Sequence, residues 1–484
     1  MRDDTPLFNA AAQPNRRVNG PIGFEAEAVN LPVIGALPAG LEGTLYRNGP
    51  NPQFPDSQRH LFGGDGMLHA FEIRGGRVGW RNRWVRTPRW QAQRDAGRPL
   101  FDAVGRPLPG DAAAAAAASL PSQGVGNTHV IGHAGRLLAL EEAHLPIEIE
   151  AGTLATLGPC DFGGGISGPF TAHPKTDPAS GELHFFGYGA PERLSSGMSY
   201  GRIDHAGRVL QFEHFDAPFS SMVHDFAITE GHVLFPVVPL TGSMQRAREG
   251  RPPYAWEPAL GTRVGVMAHG AGTGAIRWFE GPACFVFHVM NAWEERDAVG
   301  GLRIHADVLR FDEPPLFTDP DGRPTDPARS VARLCRWSFD LAGRSDRFEE
   351  RPLSDLTGEF PRIDDRRAGL AYRHGWYACQ RVPMGLTGYQ GLAHFDAVTG
   401  RETVHFLPGD DRVSEPVFVP ADADAAEGEG WLLATAFRAA ENRSDLLVFD
   451  AQALANGPVA TVQLSCRVPS GFHGSWVPAA PAAA

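Results

Sequence analysis

The sequence is poor in the basic clusters that mark nucleic-acid-binding proteins. It contains a single lysine, Lys175, and its other basic residues are arginines scattered along the 484 residues. The 44 lysine and arginine residues are outnumbered by 56 aspartate and glutamate residues, which gives a net charge of -12. Because a nucleic-acid surface needs concentrated positive charge, we expect no nucleic-acid partner.

Cysteines are few and widely separated. The five cysteines form no CxxC pair, and their odd number does not fit a disulfide framework. The first residues, MRDDTPLFNA, carry two early acidic side chains and no apolar core, so they lack the pattern of a secretory signal. We therefore expect reduced thiols and a cytoplasmic location.

Long apolar runs are also missing. No segment approaches the roughly 18 consecutive apolar residues typical of a membrane-spanning helix. We expect a soluble chain, with at most a transient contact between a surface patch and a membrane.

The stretch FGGG at 162–165 lacks the strand-turn-helix context of a nucleotide-binding loop, so no organic cofactor is expected.

The sequence is rich in short apolar or alternating segments that end at Gly, Pro, Asp or Asn. Examples are LLALEE (137–142), HVLFPVV (232–238) and GWLLATAF (430–437), and turns such as DHAGR (204–208) separate such segments. This texture predicts a many-stranded, antiparallel, all-β protein. No linker-like composition divides the chain, so we expect one domain over 1–484, with frayed ends at about 1–20 and 479–484.

Two segments depart from the β texture. Residues 83–101, RWVRTPRWQAQRDAGRPLF, have a partly helical pattern. Residues 111–118, DAAAAAAA, are compatible with a short helix or with a slack insertion.

The segment CFVFHVMNAWE (284–294) places one titratable ring, His288, in what resembles a strand buried on both faces. A buried histidine needs only one good hydrogen-bond partner, so a core histidine is one explanation. A metal ligand is the other. Three more histidines lie in short strands beside turns, namely His173, His224 and His473. Their spacing alone leaves both explanations open, because only a sheet with converging strands brings all four together.

Ten sequence blocks, in order along the chain, resemble the carotenoid cleavage oxygenase superfamily. That superfamily includes apocarotenoid oxygenases and bacterial enzymes that cleave stilbenes and phenylpropenoids. The blocks are LYRNGPNPQF (45–54), LFGGDGMLHAF (61–71), NRWVRT (82–87), NTHV (127–130), TAHPKTDP (171–178), MVHDFAIT (222–229), FHVMNAWE (287–294), GEFPRID (358–364), SEPVFVP (414–420) and FHGSWVP (472–478). The resemblance implies a seven-bladed β-propeller with a few short helices and loops capping the active-site face.

The resemblance further implies a non-haem Fe(2+) enzyme, with one iron per chain, that uses O2 to cleave a conjugated C=C bond into carbonyl products. The implied iron ligands are His173, His224, His288 and His473. Imidazoles also bind zinc, copper and nickel, so the ligand type by itself does not identify the metal. Thr128 matches the family threonine beside an open coordination position.

Three carboxylates match family acids that lie behind the ligands: Glu142, Glu359 and Glu415. Neutral imidazoles bring no charge to offset a ferrous ion. Each ring also needs its second nitrogen to donate a hydrogen bond if it is to stay in one tautomer. A carboxylate behind the ring meets both needs.

The substrate indications disagree. Relatives that cleave hydroxylated stilbenes typically carry a lysine just before the first of these glutamates and a tyrosine nearby, where this chain has Glu141 and Trp84. The usual phenolate clamp is therefore absent, although Glu141 can accept a hydrogen bond from a neutral phenol. Blocks such as WEPALGTRVGV (256–266) and ENRSDLLVFD (441–450) are most similar to the phenylpropenoid and stilbene branch.

We expect a small hydrophobic alkene of the phenylpropenoid or stilbene type, such as isoeugenol or 4-vinylguaiacol, with an apocarotenoid as the alternative. Two further alternatives stay open, namely a non-cleaving reaction such as isomerisation and a propeller used only for binding. The last would require a lost ligand, whereas all four histidines are present. A monomer and a dimer are both compatible with the sequence.

Overall fold

The computed structural model describes residues 17–54, 61–101, 110–383, 386 and 388–479. Most of the predicted frayed ends, about 1–20 and 479–484, lie outside these residues. The described chain is mostly antiparallel β-structure, as the sequence predicts.

The chain divides into two compact units. The first consists of Met1–Asp161, Leu407–Asp424 and Gly430–Ala484, and the second consists of Phe162–Phe406 and Ala425–Glu429. The single-domain expectation stays a prediction.

Most of the strands are short, and they are numbered here in chain order. They are β1 (Glu27–Ala28), β2 (Val33–Gly35), β3 (Gly43–Pro50), β4 (Gly66–Arg74), β5 (Arg77–Trp84), β6 (His129–His133), β7 (Arg136–Leu140), β8 (Ile147–Ile149), β9 (Thr156–Pro159), β10 (Lys175–Thr176), β11 (Leu183–Tyr188), β12 (Gly197–Ile203), β13 (Val209–Asp216), β14 (Ala227–Ile228), β15 (His232–Val237), β16 (Leu240–Gly242), β17 (Tyr254–Trp256), β18 (Thr262–Ala268), β19 (Arg277–Gly281), β20 (Phe285–Arg296), β21 (Leu302–Phe311), β22 (Ala332–Asp340), β23 (Glu349–Ile363), β24 (His374–Cys379), β25 (Gly391–Asp396), β26 (Glu402–Phe406), β27 (Arg412–Val413), β28 (Val417–Pro420), β29 (Gly430–Arg438), β30 (Arg443–Asp450), β31 (Pro458–Gln463) and β32 (Gly474–Pro478).

The helices are short. The α-helices of the described chain are α1 (Pro88–Ala96), α2 (Ala112–Ala118) and α3 (Met244–Arg248). Single 3-10 turns cover Leu61–Gly63, Pro258–Leu260, Thr273–Ala275, Asp365–Arg367 and Leu454–Asn456. Across the described ranges, no helix combines the length and the apolar character that crossing a bilayer requires. The five cysteines are free.

The first unit contains three antiparallel sheets within its described residues. Their strand orders are β1-β5-β4-β3-β32, β6-β7-β8-β9 and β2-β31-β30-β29-β27, and β28 pairs with β29. Alternating side chains of these strands pack into a core that includes Phe71, Trp80, Leu433 and Val448. This core fixes β3 and β32, which are antiparallel neighbours with Arg47 opposite Gly474.

The second unit also consists of antiparallel sheets. Its described strands form the orders β10-β11-β12-β13, β14-β15-β18-β19, β16-β17 and β20-β21-β22-β23-β24-β25-β26. Phe226 and Phe235 are in one of its apolar clusters, and Trp337 and Phe339 are in another. In the seven-stranded sheet each strand pairs with its neighbour in sequence, and the connections range from short turns to the longer segment between Phe311 and Ala332.

Both segments that depart from the β texture contain helix. Helix α1 begins after Thr87, whose side chain accepts a hydrogen bond from Trp90 N at 3.2 Å, and ends at Gly97 with φ of +65°. The prediction of helix within 83–101 is thus confirmed. Helix α2 is capped by Asp111, whose carboxylate accepts from the Ala113 and Ala114 amides. Residues 112–118 are therefore a helix, and the alternative of a slack insertion is wrong.

Asn48 ties β3 to the segment that precedes β6. Its buried amide donates to Gly126 O at 2.8 Å and to His129 O at 2.9 Å. We expect Asn48→Ala to lower the free energy of unfolding by about 2–4 kcal/mol, because two buried carbonyls lose their partner. The shift of the urea midpoint measures this loss. Gln91→Ala, at an exposed position of α1, should stay within about 0.5 kcal/mol of the parent protein.

Candidate metal centre

The structure brings the four histidines of the sequence prediction together. They are His173, His224, His288 and His473, all buried, and one side-chain nitrogen from each lies within 4.8 Å of the nitrogens of the other three. No other group of three or more His, Cys, Asp or Glu side chains in the described part of the chain has this arrangement.

Irregular backbone positions most of these rings. His173 and His224 lie just before β10 and β14, and His473 directly precedes β32, so the expectation that these three histidines lie in strands is wrong. His288 is inside β20, where the register with β21 shifts between Val286 and Val289 and again between Val289 and Asn291. Such bulges re-aim side chains out of the regular alternation of a strand. This explains how one polar ring within an apolar run can point toward the other histidines while it stays buried.

The distances between ring nitrogens favour a shared ion over direct hydrogen bonds. His224 Nε2 lies 3.1 Å from His173 Nε2 and 3.2 Å from His288 Nε2. An imidazole nitrogen carries one hydrogen or one lone pair, so His224 Nε2 can make only one good hydrogen bond. Two nitrogens at about 2.1 Å from one ion and at right angles to each other are about 3.0 Å apart. The residues present therefore fit a transition-metal ion.

Two buried carboxylates select the tautomer of two rings. The Glu359 carboxylate is in very close contact with His288 Nδ1, and Glu415 Oε1 is 2.8 Å from His473 Nδ1. Since an ionised carboxylate only accepts hydrogen bonds, each Nδ1 carries the hydrogen and each Nε2 keeps its lone pair for a metal. Glu359 and Glu415 thus each contact a histidine of the cluster, and their predicted role behind metal ligands stays a prediction.

Each carboxylate is itself fixed by backbone amides. Phe360 N donates to Glu359 Oε2 at 2.5 Å, and Gly474 N donates to Glu415 Oε2 at 2.9 Å. Phe360 has a positive φ of 59°, and the β23-β24 register shifts just after Glu359. The strand irregularity therefore turns this carboxylate toward His288.

Arg47 is a residue that the sequence analysis missed. Its guanidinium is almost fully buried, donates to Phe472 O at 3.0 Å and lies 3.6 Å from Glu415 Oε2. It therefore holds the backbone next to His473 and offsets the charge of Glu415. A lone arginine in the buried strand β3 was the available signal, since a buried charge requires a partner.

Thr128 is connected to His473 through the backbone. Its carbonyl accepts from His473 N at 3.2 Å, and its hydroxyl donates to Asn127 Oδ1 at 3.1 Å. Its role beside an open coordination position stays a prediction. Glu142 is half-buried, and its predicted place behind a ligand also stays a prediction.

The two positions that differ from the phenol-binding pattern have different surroundings. Trp84 is a core residue: its indole donates to Asn51 O at 2.7 Å, and its ring is 6.3 Å from that of Trp90. Glu141 is buried in close contact with His144 Nδ1, and it accepts from Val125 N at 3.1 Å. Burial opposes its ionisation, but His144 and the Val125 amide outweigh this and lower the pKa of Glu141.

Comparison with known proteins agrees with this geometry. Residues 19–478 match the RPE65 family, described as retinal pigment epithelial membrane protein. The chain is 37% identical to isoeugenol monooxygenase from Pseudomonas nitroreducens over 469 residues, which cover 95% of this chain and 96% of the relative. It is 36% identical to lignostilbene-alpha,beta-dioxygenase isozyme III from Sphingomonas paucimobilis, with 95% and 96% covered.

A solved structure is also similar. The crystal structure of lignostilbene dioxygenase from Pseudomonas brassicacearum superposes with a TM-score of 0.89 at 36% identity. The match covers 95% of this chain and 97% of that one. Both the fold and the sequence are thus similar along nearly the whole chain.

Removal of one ring should abolish metal retention while the fold survives. We expect His288→Ala to lose bound iron, because the remaining nitrogens leave the ion under-coordinated. Elemental analysis of the purified protein measures the loss, and circular dichroism checks the fold. His394→Ala, which removes a half-buried histidine outside the cluster, should keep the parent iron content. Full iron occupancy in the His288→Ala protein would contradict the assignment.

Removal of one carboxylate charge should weaken the site less. Glu359→Gln and Glu415→Gln should each lower iron affinity about 10- to 100-fold. The reason is that the histidine in contact with the changed side chain, His288 or His473, loses the hydrogen bond that fixes its tautomer. Competition with a chelator of known affinity measures the change. Unchanged affinity in both variants would show that neither carboxylate supports a ligand.

Proposed function

Because the chain belongs to the RPE65 family of carotenoid cleavage oxygenases, we propose that it is a non-haem Fe(II) enzyme that uses O2 to cleave a conjugated C=C bond of an aromatic alkene. The products are two carbonyl compounds, so one alkene and one O2 account for every atom. The observation that carries the proposal is the cluster of four buried histidine nitrogens within 4.8 Å of one another.

The donor set suits a ferrous ion that must bind and activate oxygen. The four histidines would hold the ion through neutral nitrogens and leave room for oxygen to bind, and the charges of Glu359 and Glu415 would offset the two positive charges of Fe(II). The iron would supply a redox-active centre at which O2 and the alkene react. Support for iron over zinc, copper or nickel comes from the family, since imidazole ligands suit all of these metals.

The protein supplies orientation and a dry environment. Glu359 and Glu415 hold the hydrogens of His288 and His473 on Nδ1, which fixes the direction of both rings. Aromatic side chains pack against the ligands: Phe287 lies 5.1 Å from the His224 ring, and Phe360 lies 5.4 Å from the His288 ring. Apolar faces of this kind exclude water and suit a hydrophobic alkene.

An aromatic substrate of the phenylpropenoid or stilbene class has the stronger support. Isoeugenol monooxygenase and lignostilbene dioxygenases are similar to this chain along nearly its whole length. Glu141 can accept a hydrogen bond from a neutral phenol at the position where a lysine is typical. An apocarotenoid is the second candidate, because Glu141 and the buried Trp84 do not provide a phenolate clamp.

We also propose that the sheets are blades of a seven-bladed β-propeller. Support comes from the four-stranded antiparallel sheets β6-β7-β8-β9 and β10-β11-β12-β13, in which neighbours in sequence are neighbours in space. This is the strand order of propeller blades.

The proposed enzyme holds one iron per chain and acts in the cytoplasm.

Incubation with labelled oxygen tests the reaction and the substrate together. Iron-loaded protein is given isoeugenol, 4-vinylguaiacol, resveratrol or an apocarotenal under 18O2, and products are identified by mass. We expect aldehydes that carry 18O from at least one aromatic alkene, and no product from His288→Ala protein. Cleavage of the apocarotenal alone would favour the second candidate. Product formation without 18O would indicate a non-cleaving reaction.

A further inference from the structure

Asp225 connects the chain segments that carry three of the four histidines. It directly follows His224 and is 4% exposed. Its Oδ1 lies 2.7 Å from Lys175 Nζ, and its Oδ2 accepts from Val289 N at 2.8 Å. Lys175 is two residues after His173, and Val289 is the residue after His288. One carboxylate therefore joins three segments that are far apart in sequence.

The same carboxylate is also fixed on its own backbone. Phe226 N donates to Asp225 Oδ1 at 2.8 Å. Both carboxylate oxygens thus accept hydrogen bonds, from three different segments of the second unit. Such convergence restricts rotation of the side chain and leaves the segments little freedom to move apart.

We propose that Asp225, through Lys175 and Val289, is a positioning residue that sets the mutual spacing of His173, His224 and His288. The three contacts are called the Asp225 bridge. This inference rests on the proposed metal site, because it assigns a role in shaping that site. Asp225 acts through the backbone next to the ligands and through Lys175.

The charges explain why the bridge uses an ion pair. A buried carboxylate beside the ligand cluster without a counter-charge is costly, and it would add negative charge near the metal. Lys175, the single lysine of the chain, offsets that charge at a position where its side chain is still 24% exposed. The negative charges of Glu359 and Glu415 therefore still offset the positive charge of a ferrous ion, with no further unpaired charge from Asp225.

Asp225→Asn is a specific test, because the asparagine side chain has nearly the same shape as the aspartate side chain and differs from it at one terminal atom. The amide group replaces one acceptor oxygen with an NH2 donor. That donor then faces either Val289 N or the Lys175 and Phe226 donors, so at least one contact of the bridge is lost in either orientation. The ion pair with Lys175 is lost as well.

Asp204 offers a matched control in the same unit. It is 5% exposed, and its carboxylate accepts from Ala206 N at 3.0 Å, from Arg208 N at 2.8 Å and from Arg208 Nε at 2.7 Å. It therefore makes the same kinds of bonds as Asp225, but within the turn between β12 and β13. Asp204→Asn reports the cost of losing such bonds away from the histidines.

The experiment compares full-length wild-type protein with Asp225→Asn, Lys175→Gln and Asp204→Asn variants, using cobalt(II) as the metal probe. We expect Asp225→Asn to weaken cobalt affinity about 10- to 100-fold and to shift the visible d–d bands, because the ligand spacing changes. Lys175→Gln should change both readouts in the same direction but less. Asp204→Asn should change affinity less than about twofold and leave the bands in place, although it lowers the unfolding temperature of the metal-free protein.

Parent-like affinity and parent-like bands in Asp225→Asn would overturn the proposal, even if the variant unfolds at a lower temperature. If Asp225→Asn does not fold, the Lys175→Gln protein decides, and unchanged bands there overturn the role of the ion pair. Failure of the wild-type protein to bind cobalt or iron would instead contradict the proposed function. The two failures are therefore distinguishable.

Discussion

The hydrogen bonds from buried imidazole Nδ1 atoms to the carboxylates of Glu359 and Glu415 are the interaction on which the proposed chemistry depends. Without them, the His288 and His473 rings can exchange tautomers and rotate, and a lone pair no longer points reliably toward the other histidines. The carboxylates also bring the negative charge that neutral ligands lack. Burial strengthens both effects, because water does not compete for the hydrogen bonds or screen the charges.

The β-scaffold supplies rigidity, and its irregularities supply direction. Strand β20 is buried over most of its length, yet its register with β21 shifts between Val286 and Val289 and again between Val289 and Asn291, which allows the buried His288 ring to point toward the other histidines. Strand β23 has a register shift directly after Glu359, where Phe360 takes a positive φ. In a regular strand, successive side chains point to opposite faces of the sheet. The departures from regularity therefore occur where a ligand and its carboxylate meet.

Charged groups around the site are paired so that few charges remain uncompensated. Arg47 lies beside Glu415, and Lys175 lies beside Asp225. Each cation also fixes a segment next to a histidine, Arg47 through Phe472 O and Lys175 through the carboxylate after His224. Charge balance and positioning are thus provided by the same side chains.

Local features of the sequence were enough to predict the β class, a partly helical pattern within 83–101 and the candidate ligands, because apolar alternation and family blocks can be recognised in short stretches; for residues 111–118 they left a helix and a slack insertion open. His173, His224, His288 and His473 were selected by resemblance, since spacing left a core role open. The folded chain was needed to show that their nitrogens meet, that Trp84 is packed in the core and that Asp225 joins three segments. Those facts depend on register shifts and on contacts between residues that are distant in sequence, such as Asp225 and Val289, which no local pattern encodes.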